Sequence, residues 1–431
     1  MLKMRNRQDV TDPSARAGQC GEGSSGVGMK ATRLGRAPLF LTALLVLLVG
    51  LGVCVVGQGM ESPWLWGPTL GAIGEDFVAI SWNTSRAVGV DLNYATKTFY
   101  DAAQTWEETL VFEPHEGVAE IWLRDLLPGT TYQYEVVVYE GDAIYPRPIG
   151  RFTTSSDEMR AFSFLVYGDT RTFVDCHTLI ADTMARDEAS AAFVINTGDL
   201  VESPTVERFD DFFGAIDALA RSHPYLAVLG NHERNNSNYF EFLALPSGGG
   251  EASEQWWSFD YGGVHFVGLD SNVLDGANAE VLVQQQTEWL DADLAESDAR
   301  FKVVCFHYPI YSSAWEEGVA GSLQTLWEPI FLKHAVDVVF SGHMHCYERF
   351  YADGLHYVIT AGGGAPLQDP IDAVPDGLIF RRYGALHYVR VTVADTMMRV
   401  EAVPVASVCD EEVYPVPSGR PFDSFVIEGT P

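Results

Sequence analysis

Carboxylate, amide and imidazole side chains follow the ends of five short apolar segments of this 431-residue chain. These segments cover residues 162–167, 192–197, 225–229, 302–306 and 336–340. The polar side chains that come directly after them are Asp169, Asp199, Asn231, His307, His343 and His345. Carboxylate oxygens and imidazole nitrogens of this kind suit zinc, manganese and iron. Because the carboxyl ends of strands in an open α/β sheet meet at one edge, we expect these side chains to lie together.

A pair of cations held about 3.5–4 Å apart can activate a water and neutralise phosphoryl oxygens, which is what phosphate-ester hydrolysis needs. Such a pair requires a bridging carboxylate and several nitrogen or oxygen ligands, and the six side chains supply that set. A Gly-His-x-His sequence, present at Gly342–His345, is rare in a chain with 11 histidines. The order of the motifs, more than any one of them, therefore predicts a metal site.

Strands that alternate with helical stretches indicate a layered α/β domain after about residue 157. The expected helices are Glu207–Ala220, Gln284–Leu294 and Leu323–Lys333. Two late strands, Leu386–Val393 and Met398–Pro404, are expected to complete a second sheet.

Short alternating strands separated by turn residues predict a β-sandwich over residues 61–156. The expected strands are Phe77–Trp82, Gly89–Tyr94, Ala119–Leu123 and Tyr132–Val138. The stretch Leu126–Tyr134 resembles the tyrosine corner of a fibronectin type III domain. We expect Tyr132 or Tyr134 to bind backbone upstream, and the domain to act as a scaffold.

The sequence Gly-His-Met-His-Cys-Tyr-Glu-Arg at residues 342–349 resembles the last motif of the purple acid phosphatases, a branch of the calcineurin-like metallophosphoesterases. The resemblance covers roughly Ser62–Val405. It implies an α/β (α+β) four-layer metallophosphoesterase sandwich preceded by an all-β fibronectin type III-like sandwich. The implied domains are a leader (1–60), the β-sandwich (61–156), the catalytic domain (157–406) and a C-terminal tail (407–431).

The resemblance also implies a division of the ligands. One metal would take Asp169, Asp199 and His345, and the other Asp199, Asn231, His307 and His343, with Asp199 bridging. His232 would act as general acid or as a donor to the phosphoryl oxygens, and the nucleophile would be a metal-bound hydroxide. Glu233 either orients a neighbouring imidazole or is a carboxylate at a helix start.

Two departures from the family pattern leave the first metal without its expected fourth ligand. Glu202 stands where the purple enzymes carry the tyrosine that gives the ferric colour, and Arg171 stands where the wider superfamily carries a histidine. We expect His177 to supply the missing ligand, with Glu202 as the second candidate; a helix-cap or surface role is the alternative for His177. Arg171 either clamps the substrate phosphate or is a surface charge. The expected cofactors are two divalent or mixed-valence metal ions, for which iron, zinc and manganese are all allowed.

An uncharged apolar segment at residues 38–57, with Arg33 and Arg36 just upstream, is typical of a signal peptide or a membrane anchor. The body is therefore expected to lie outside the cytoplasm, either secreted or anchored through this segment.

The formal net charge of −32 opposes general binding to nucleic acids. The substrate that the family resemblance implies is a phosphorylated small molecule. The six cysteines define no disulfide framework, and no Cys-x-x-Cys pair indicates a thiolate zinc site.

These features predict an extracytoplasmic dinuclear-metal phosphohydrolase that favours phosphate monoesters. A phosphodiesterase or nucleotide hydrolase at the same ions is one alternative. A catalytically weakened surface binding protein is the other, because the first metal site is altered.

Overall fold

The computed structural model describes residues 4–5, 32–33, 61–156, 161–274, 279–313, 319–409, 412–416 and 419–429. The apolar segment 38–57, predicted as a signal or anchor, lies outside these ranges. In the described part of the chain, no helix is both long and apolar enough to cross a bilayer.

The first sheet is built from the amino-terminal part of the chain. Its elements are Met4–Arg5 (β1), Thr32–Arg33 (β2), Trp64–Ile73 (β3), Val78–Thr96 (β4), Glu108–Leu123 (β5), Thr131–Glu140 (β6), Ala143–Pro146 (β7) and Gly150–Thr153 (β8), with the helix Lys97–Ala103 (α1). The strand order is β1-β5-β4-β6-β7, with β2 on β5, β3 on β4 and β8 on β6. The predicted strands Phe77–Trp82 and Gly89–Tyr94 form one continuous strand, β4, whose first half pairs with β3 and second half with β6.

The expected tyrosine contact is present at Tyr132, whose hydroxyl accepts a hydrogen bond from the backbone nitrogen of Leu127 at 2.9 Å. Tyr134 makes a different contact, because its hydroxyl donates to the carbonyl of Arg221, which lies outside this sheet, at 2.9 Å. Trp66 on β3 stacks on Phe213, with ring centroids 4.0 Å apart. The first sheet is therefore packed directly on the part of the chain that carries the candidate ligands.

The rest of the chain forms two further sheets and the helices that cover them. The strands are Phe162–Tyr167 (β9), Val194–Asn196 (β10), Tyr225–Ala227 (β11), Gly248–Gly249 (β12), Trp256–Tyr261 (β13), Val264–Gly268 (β14), Phe301–Cys305 (β15), Val338–Ser341 (β16), Tyr347–Ala352 (β17), Leu355–Thr360 (β18), Leu378–Arg382 (β19), Ala385–Ala394 (β20), Met397–Cys409 (β21), Glu412–Pro415 (β22) and Asp423–Glu428 (β23). The helices are Val174–Asp187 (α2), Val206–Ala215 (α3), Asp217–Ala220 (α4), Ser237–Phe242 (α5), Ala279–Glu296 (α6) and Val319–Lys333 (α7), with 3₁₀ turns at Glu251–Ser253 and Ser271–Leu274.

The second sheet has the order β11-β10-β9-β20-β21-β22, with β23 on β21, and the third has the order β12-β13-β14-β15-β16-β18-β17-β19. Strands β9, β10 and β11 are parallel, as are β14, β15, β16 and β18. In the second sheet Tyr167, Asn196 and Ala227 are aligned in register, so the loops that follow them leave the same edge.

The two sheets face each other across an aromatic core. Phe164 on β9 meets Phe266 on β14 edge to face, with ring centroids 5.0 Å apart. Helices α2, α3 and α4 lie on the outer side of the second sheet, where Ile180 and Met184 of α2 are fully buried. Helices α6 and α7 cover the third sheet, and Trp327 of α7 packs on Phe306 at 5.4 Å between ring centroids. The order of layers is helix, sheet, sheet, helix.

The carboxyl-terminal residues 407–431, expected to be a tail, contain β22 and β23, which both pair with β21. Asp423 at the start of β23 accepts a bidentate pair of hydrogen bonds from Arg349 at 2.7 and 3.1 Å. It also accepts one from Tyr347 at 2.9 Å. Strands β22 and β23 therefore belong to the second sheet, and β23 is bonded to the strand that follows the Gly-His-Met-His sequence.

Candidate metal centre

The six predicted ligands lie on loops at the carboxyl ends of β9, β10, β11, β15 and β16. Three of them adopt left-handed backbone conformations, with φ of 59° at Asp169, 55° at Asp199 and 70° at His343. Such values are uncommon and strained for residues other than glycine, and they concentrate at functional sites. A Cβ atom at Gly342 would lie 2.6 Å from Oδ2 of Asp169, so glycine is required for these two loops to approach.

Asp199, His307 and His343 form one cluster, whose ligand atoms all lie within 4.8 Å of one another. Asn231 belongs to it as well, because its Oδ1 lies 3.0 Å from Nε2 of His307 and 3.0 Å from Nδ1 of His343. The two imidazole nitrogens are 3.2 Å apart. We call these four residues the second metal group.

Asp169, Asp199 and His345 form the other cluster, again with ligand atoms within 4.8 Å of one another. Nε2 of His345 lies 3.4 Å from Oδ1 of Asp169. We call these three residues the first metal group; Asp199 is the member that the two groups share.

Hydrogen bonds to backbone carbonyls fix the tautomers of His307 and His345, and these tautomers suit the binding of a cation in each metal group. Nδ1 of His307 lies 2.9 Å from the carbonyl of Thr197, and Nδ1 of His345 lies 2.6 Å from that of Pro366. Each Nδ1 therefore carries the donated proton, and each Nε2 directs a lone pair at carboxylate or amide oxygens. Lone pairs that converge on one another need a positive charge between them, which a proton or a metal ion can supply.

The electrostatics of the second metal group favour positive charge as well. Burial lowers the pKa of His307, but the carboxylate of Asp199 outweighs this effect and raises it to about 9. Burial and the neighbouring His307 lower the pKa of His343 to about 3. The negative field that favours a proton on His307 is the same field that would hold a cation.

Glu233 has a role that the sequence did not indicate. Its buried carboxylate accepts four backbone hydrogen bonds, from Asp199 at 3.0 Å, Leu200 at 2.9 Å, Val201 at 3.2 Å and Gly230 at 2.8 Å. It thus joins the loop of Asp199 to the loop of Asn231. Both expectations for Glu233, an imidazole partner or a helix-start carboxylate, are replaced by this anchoring of backbone.

His232 lies at the mouth of the site, where its side chain is 22% exposed. Nδ1 lies 2.8 Å from the carbonyl of Glu202, and the backbone nitrogen donates to Oδ1 of Asp199 at 2.9 Å. Nε2 is 3.9 Å from Oδ2 of Asp199. The ring is therefore fixed through Nδ1, and Nε2 is the nitrogen directed at the centre.

Arg171 reaches into the first metal group. Its Nε donates to Oδ2 of Asp199 at 3.3 Å, and Nη2 lies 3.5 Å from Nε2 of His345. Nη1 donates to Glu202 at 2.8 Å, and Thr172 donates to the same Glu202 oxygen at 2.5 Å. Arg171 is thus a half-buried charge at the site and not a plain surface charge.

His177, expected as the missing ligand of the first metal, is directed elsewhere. It is buried in α2, its Nε2 lies 2.9 Å from the hydroxyl of Tyr167, and its ring stacks on Phe212. Burial lowers the pKa of His177 to about 3, as for a neutral core imidazole. Among the described residues, neither metal group includes His177. His177 does not reach the metal groups because it lies in α2, which begins at Val174, and its side chain is on the face of this helix that packs on the core.

Comparison with known proteins agrees with this geometry. Residues 162–347 match the calcineurin-like phosphoesterase family. An uncharacterised protein of Mycobacterium tuberculosis is 26% identical over 417 residues, which cover 81% of this chain and 76% of that one. Purple acid phosphatase 22 of Arabidopsis thaliana is 33% identical over 168 residues, covering 36% of this chain and 38% of that one.

The fold has a counterpart among solved structures. The purple acid phosphatase PPD1 from yellow lupin (Lupinus luteus) seeds superposes with a TM-score of 0.65 at 19% identity, covering 84% of this chain and 74% of that one. This is a likeness of fold. The family match over residues 162–347, together with the two metal groups, makes this chain a metal-dependent phosphoester hydrolase.

Proposed function

We propose that this protein hydrolyses phosphate monoesters at a two-cation centre outside the cytoplasm. The observation that carries the proposal is the sharing of Asp199: its Oδ1 lies 3.4 Å from Nε2 of His307, and its carboxylate also lies within 4.8 Å of ligand atoms of Asp169 and His345. One carboxylate between two sets of nitrogen and oxygen donors is what a pair of adjacent cations requires.

The first cation would be held by Asp169, Asp199 and His345, and the second by Asp199, Asn231, His307 and His343. Iron, zinc and manganese all suit this mixture of oxygen and imidazole ligands. When bound, the cations supply charge compensation for the phosphoryl oxygens and activation of the attacking water. Glu202, the second candidate for a fourth ligand of the first cation, is bonded to Arg171 and Thr172, so we propose that it positions Arg171.

His232 is proposed to donate the proton that the leaving oxygen requires. Its Nδ1 is committed to the carbonyl of Glu202 at 2.8 Å, so Nε2 is the atom that transfers the proton. The guanidinium of Arg171, held by Glu202, offers paired N–H donors to a phosphoryl oxygen. Glu233 keeps the loops of Asp199 and Asn231 in register, which fixes the distance between the groups that act on the substrate.

Two further parts of the proposal concern the rest of the chain. Residues 61–156 are proposed to be a fibronectin type III-like scaffold, which the contact between Tyr132 and Leu127 supports. Export is supported by the apolar segment 38–57 behind Arg33 and Arg36. Amino-terminal sequencing of the exported protein would distinguish cleavage of this segment from anchoring.

The activity is tested by stripping the purified protein with a chelator and restoring zinc, manganese or iron(II) one at a time. Turnover of p-nitrophenyl phosphate is compared with that of bis-p-nitrophenyl phosphate. The proposal expects metal-dependent turnover with the monoester as the faster substrate. Faster turnover of the diester would favour a phosphodiesterase, and metal binding without any turnover would favour a binding protein.

A further inference from the structure

The two metal groups differ in which side chains are already bonded to the atoms that would bind a cation. In the second metal group, the closest approaches join imidazole nitrogens and the Asn231 oxygen, at 3.0 to 3.2 Å. In the first metal group, a guanidinium already donates to two of the three members. Arg171 reaches Oδ2 of Asp199 at 3.3 Å through Nε and Nε2 of His345 at 3.5 Å through Nη2.

The bond to His345 has a definite direction. Arginine has no acceptor, so Nη2 of Arg171 is the donor and Nε2 of His345 the acceptor, while Nδ1 of His345 lies 2.6 Å from the carbonyl of Pro366. Arg171 thus donates to two of the three side chains that a cation would need in the first metal group, Asp199 and His345. The guanidinium therefore brings a positive charge to the place that a cation would occupy.

Glu202 determines where this charge is held. Its carboxylate accepts from Nη1 of Arg171 at 2.8 Å and from the hydroxyl of Thr172 at 2.5 Å. The side chain of Arg171 is 15% exposed and that of Glu202 is 43% exposed, so Glu202 pulls the guanidinium toward the mouth of the site. Glu202 therefore works against the competition between Arg171 and a cation.

We infer that Arg171 competes with a cation for the first metal group, so that this group binds metal far more weakly than the second metal group does. The centre then holds one tightly bound and one exchangeable cation, and Glu202 sets the balance as a positioning residue. This inference rests on the proposed function, but it concerns affinity and can fail separately from it.

The test is a titration of the metal-stripped full chain with Zn²⁺ by isothermal calorimetry, with metal per protein measured after gel filtration. For the unaltered protein we expect two classes of site whose dissociation constants differ at least tenfold, and close to one retained zinc. Arg171→Ala is expected to tighten the weaker class at least tenfold and to raise the retained zinc toward two. Arg208→Ala is the matched control, because Arg208 is exposed and pairs with Asp211.

Glu202→Gln sharpens the test, since it is expected to weaken the first metal group further when Arg171 is present. In the double variant with Arg171→Ala, the effect of Glu202→Gln should disappear. If Glu202 were only a ligand, the double variant would lose zinc as the single one does, and its positioning role would be wrong. A thermal melt of the Arg171→Gln variant shows whether a change in its zinc binding reflects a folding defect.

Two equally tight sites in the unaltered protein, or a weak class that Arg171→Ala and Arg171→Gln both leave unchanged in folded protein, would overturn the inference. These failures are distinct from failure of the proposed function. Equal sites with phosphatase turnover would refute only the inference, whereas unequal sites without turnover would refute only the function.

Discussion

Oε2 of Glu233 lies 3.0 Å from the backbone nitrogen of Asp199, and the same atom accepts from Gly230 at 2.8 Å. Two loops from neighbouring strands are therefore joined by one buried carboxylate directly beneath the shared candidate ligand. Burial raises the pKa of Glu233, whereas the four N–H donors favour its charged form.

Glu233→Gln should destabilise the protein and weaken metal binding together. The amide nitrogen would face backbone N–H groups and leave buried donors unsatisfied, at a cost of about 1–3 kcal/mol each. A lower unfolding midpoint in urea and less retained metal are the expected results. Glu296→Gln, at an exposed position near the end of α6, should change neither, and equal behaviour of the two variants would refute the anchoring role.

His232→Ala should slow hydrolysis according to how much the leaving oxygen needs a proton. Loss of a general acid costs about 10²–10⁴-fold in rate. We expect a loss in that range for an alkyl phosphate such as glycerol phosphate and a much smaller loss for p-nitrophenyl phosphate, whose phenolate leaves readily. Steady-state kinetics on both substrates measure the contrast, and identical losses would assign His232 to binding alone.

His265 should make the free energy of unfolding depend on pH above neutrality. Its Nδ1 and Nε2 lie 2.8 Å from Asp260 and 2.8 Å from Asp293, and although burial lowers its pKa, these carboxylates raise it to about 9. A group whose pKa is raised on folding contributes stability that is complete below the unfolded value of about 6.5 and lost as pH rises through the folded value.

The comparison is between the unaltered protein and His265→Gln, by urea unfolding at pH 6 and at about pH 10. The unaltered protein should be more stable by roughly 2 kcal/mol at pH 6, with the difference shrinking at high pH because His265 has lost its charge. A difference that stays constant across this range would show that packing, not charge, accounts for the contribution of His265.

Asp423→Asn should loosen the carboxyl-terminal strand. The carboxylate pairs with Arg349, and both side chains are largely buried, so removal of the charge leaves a guanidinium without its partner at a cost of about 3 kcal/mol. Asp395→Asn is the control. The Asp395 side chain, which pairs with Arg300, is 89% exposed, so this substitution should lower the free energy of unfolding by less than about 0.5 kcal/mol. Equal costs in chemical unfolding would contradict the structural role of β23.

The strands and the clustering of ligands could be predicted from sequence because both follow local rules. Apolar runs that end in Gly-Asp or Gly-His place side chains at a common sheet edge, and the strand Phe162–Tyr167 was predicted with its observed bounds. The family resemblance added which side chains share a cation. Neither the local sequence patterns nor the family resemblance requires knowledge of how the side chains pack.

What the sequence could not supply depends on backbone partners and on orientation. The carbonyls of Thr197 and Pro366 fix two imidazoles, and no residue type signals that a carbonyl will do so. His177 has the right residue type near Asp169, but its ring direction follows from the packing of α2 on Phe212. The role of Asp423 required knowing that the end of the chain returns to pair with β21.

The sharing of Asp199 by both metal groups is the central claim, and Asp199→Asn tests it most directly. Metal per protein and turnover of p-nitrophenyl phosphate are measured on the same preparation, with a thermal melt to confirm folding. The account predicts that the folded variant retains less metal than the unaltered protein and loses at least about 10³-fold in turnover, since a neutral amide cannot bridge two cations. As much retained metal as in the unaltered protein, with undiminished turnover, would contradict it.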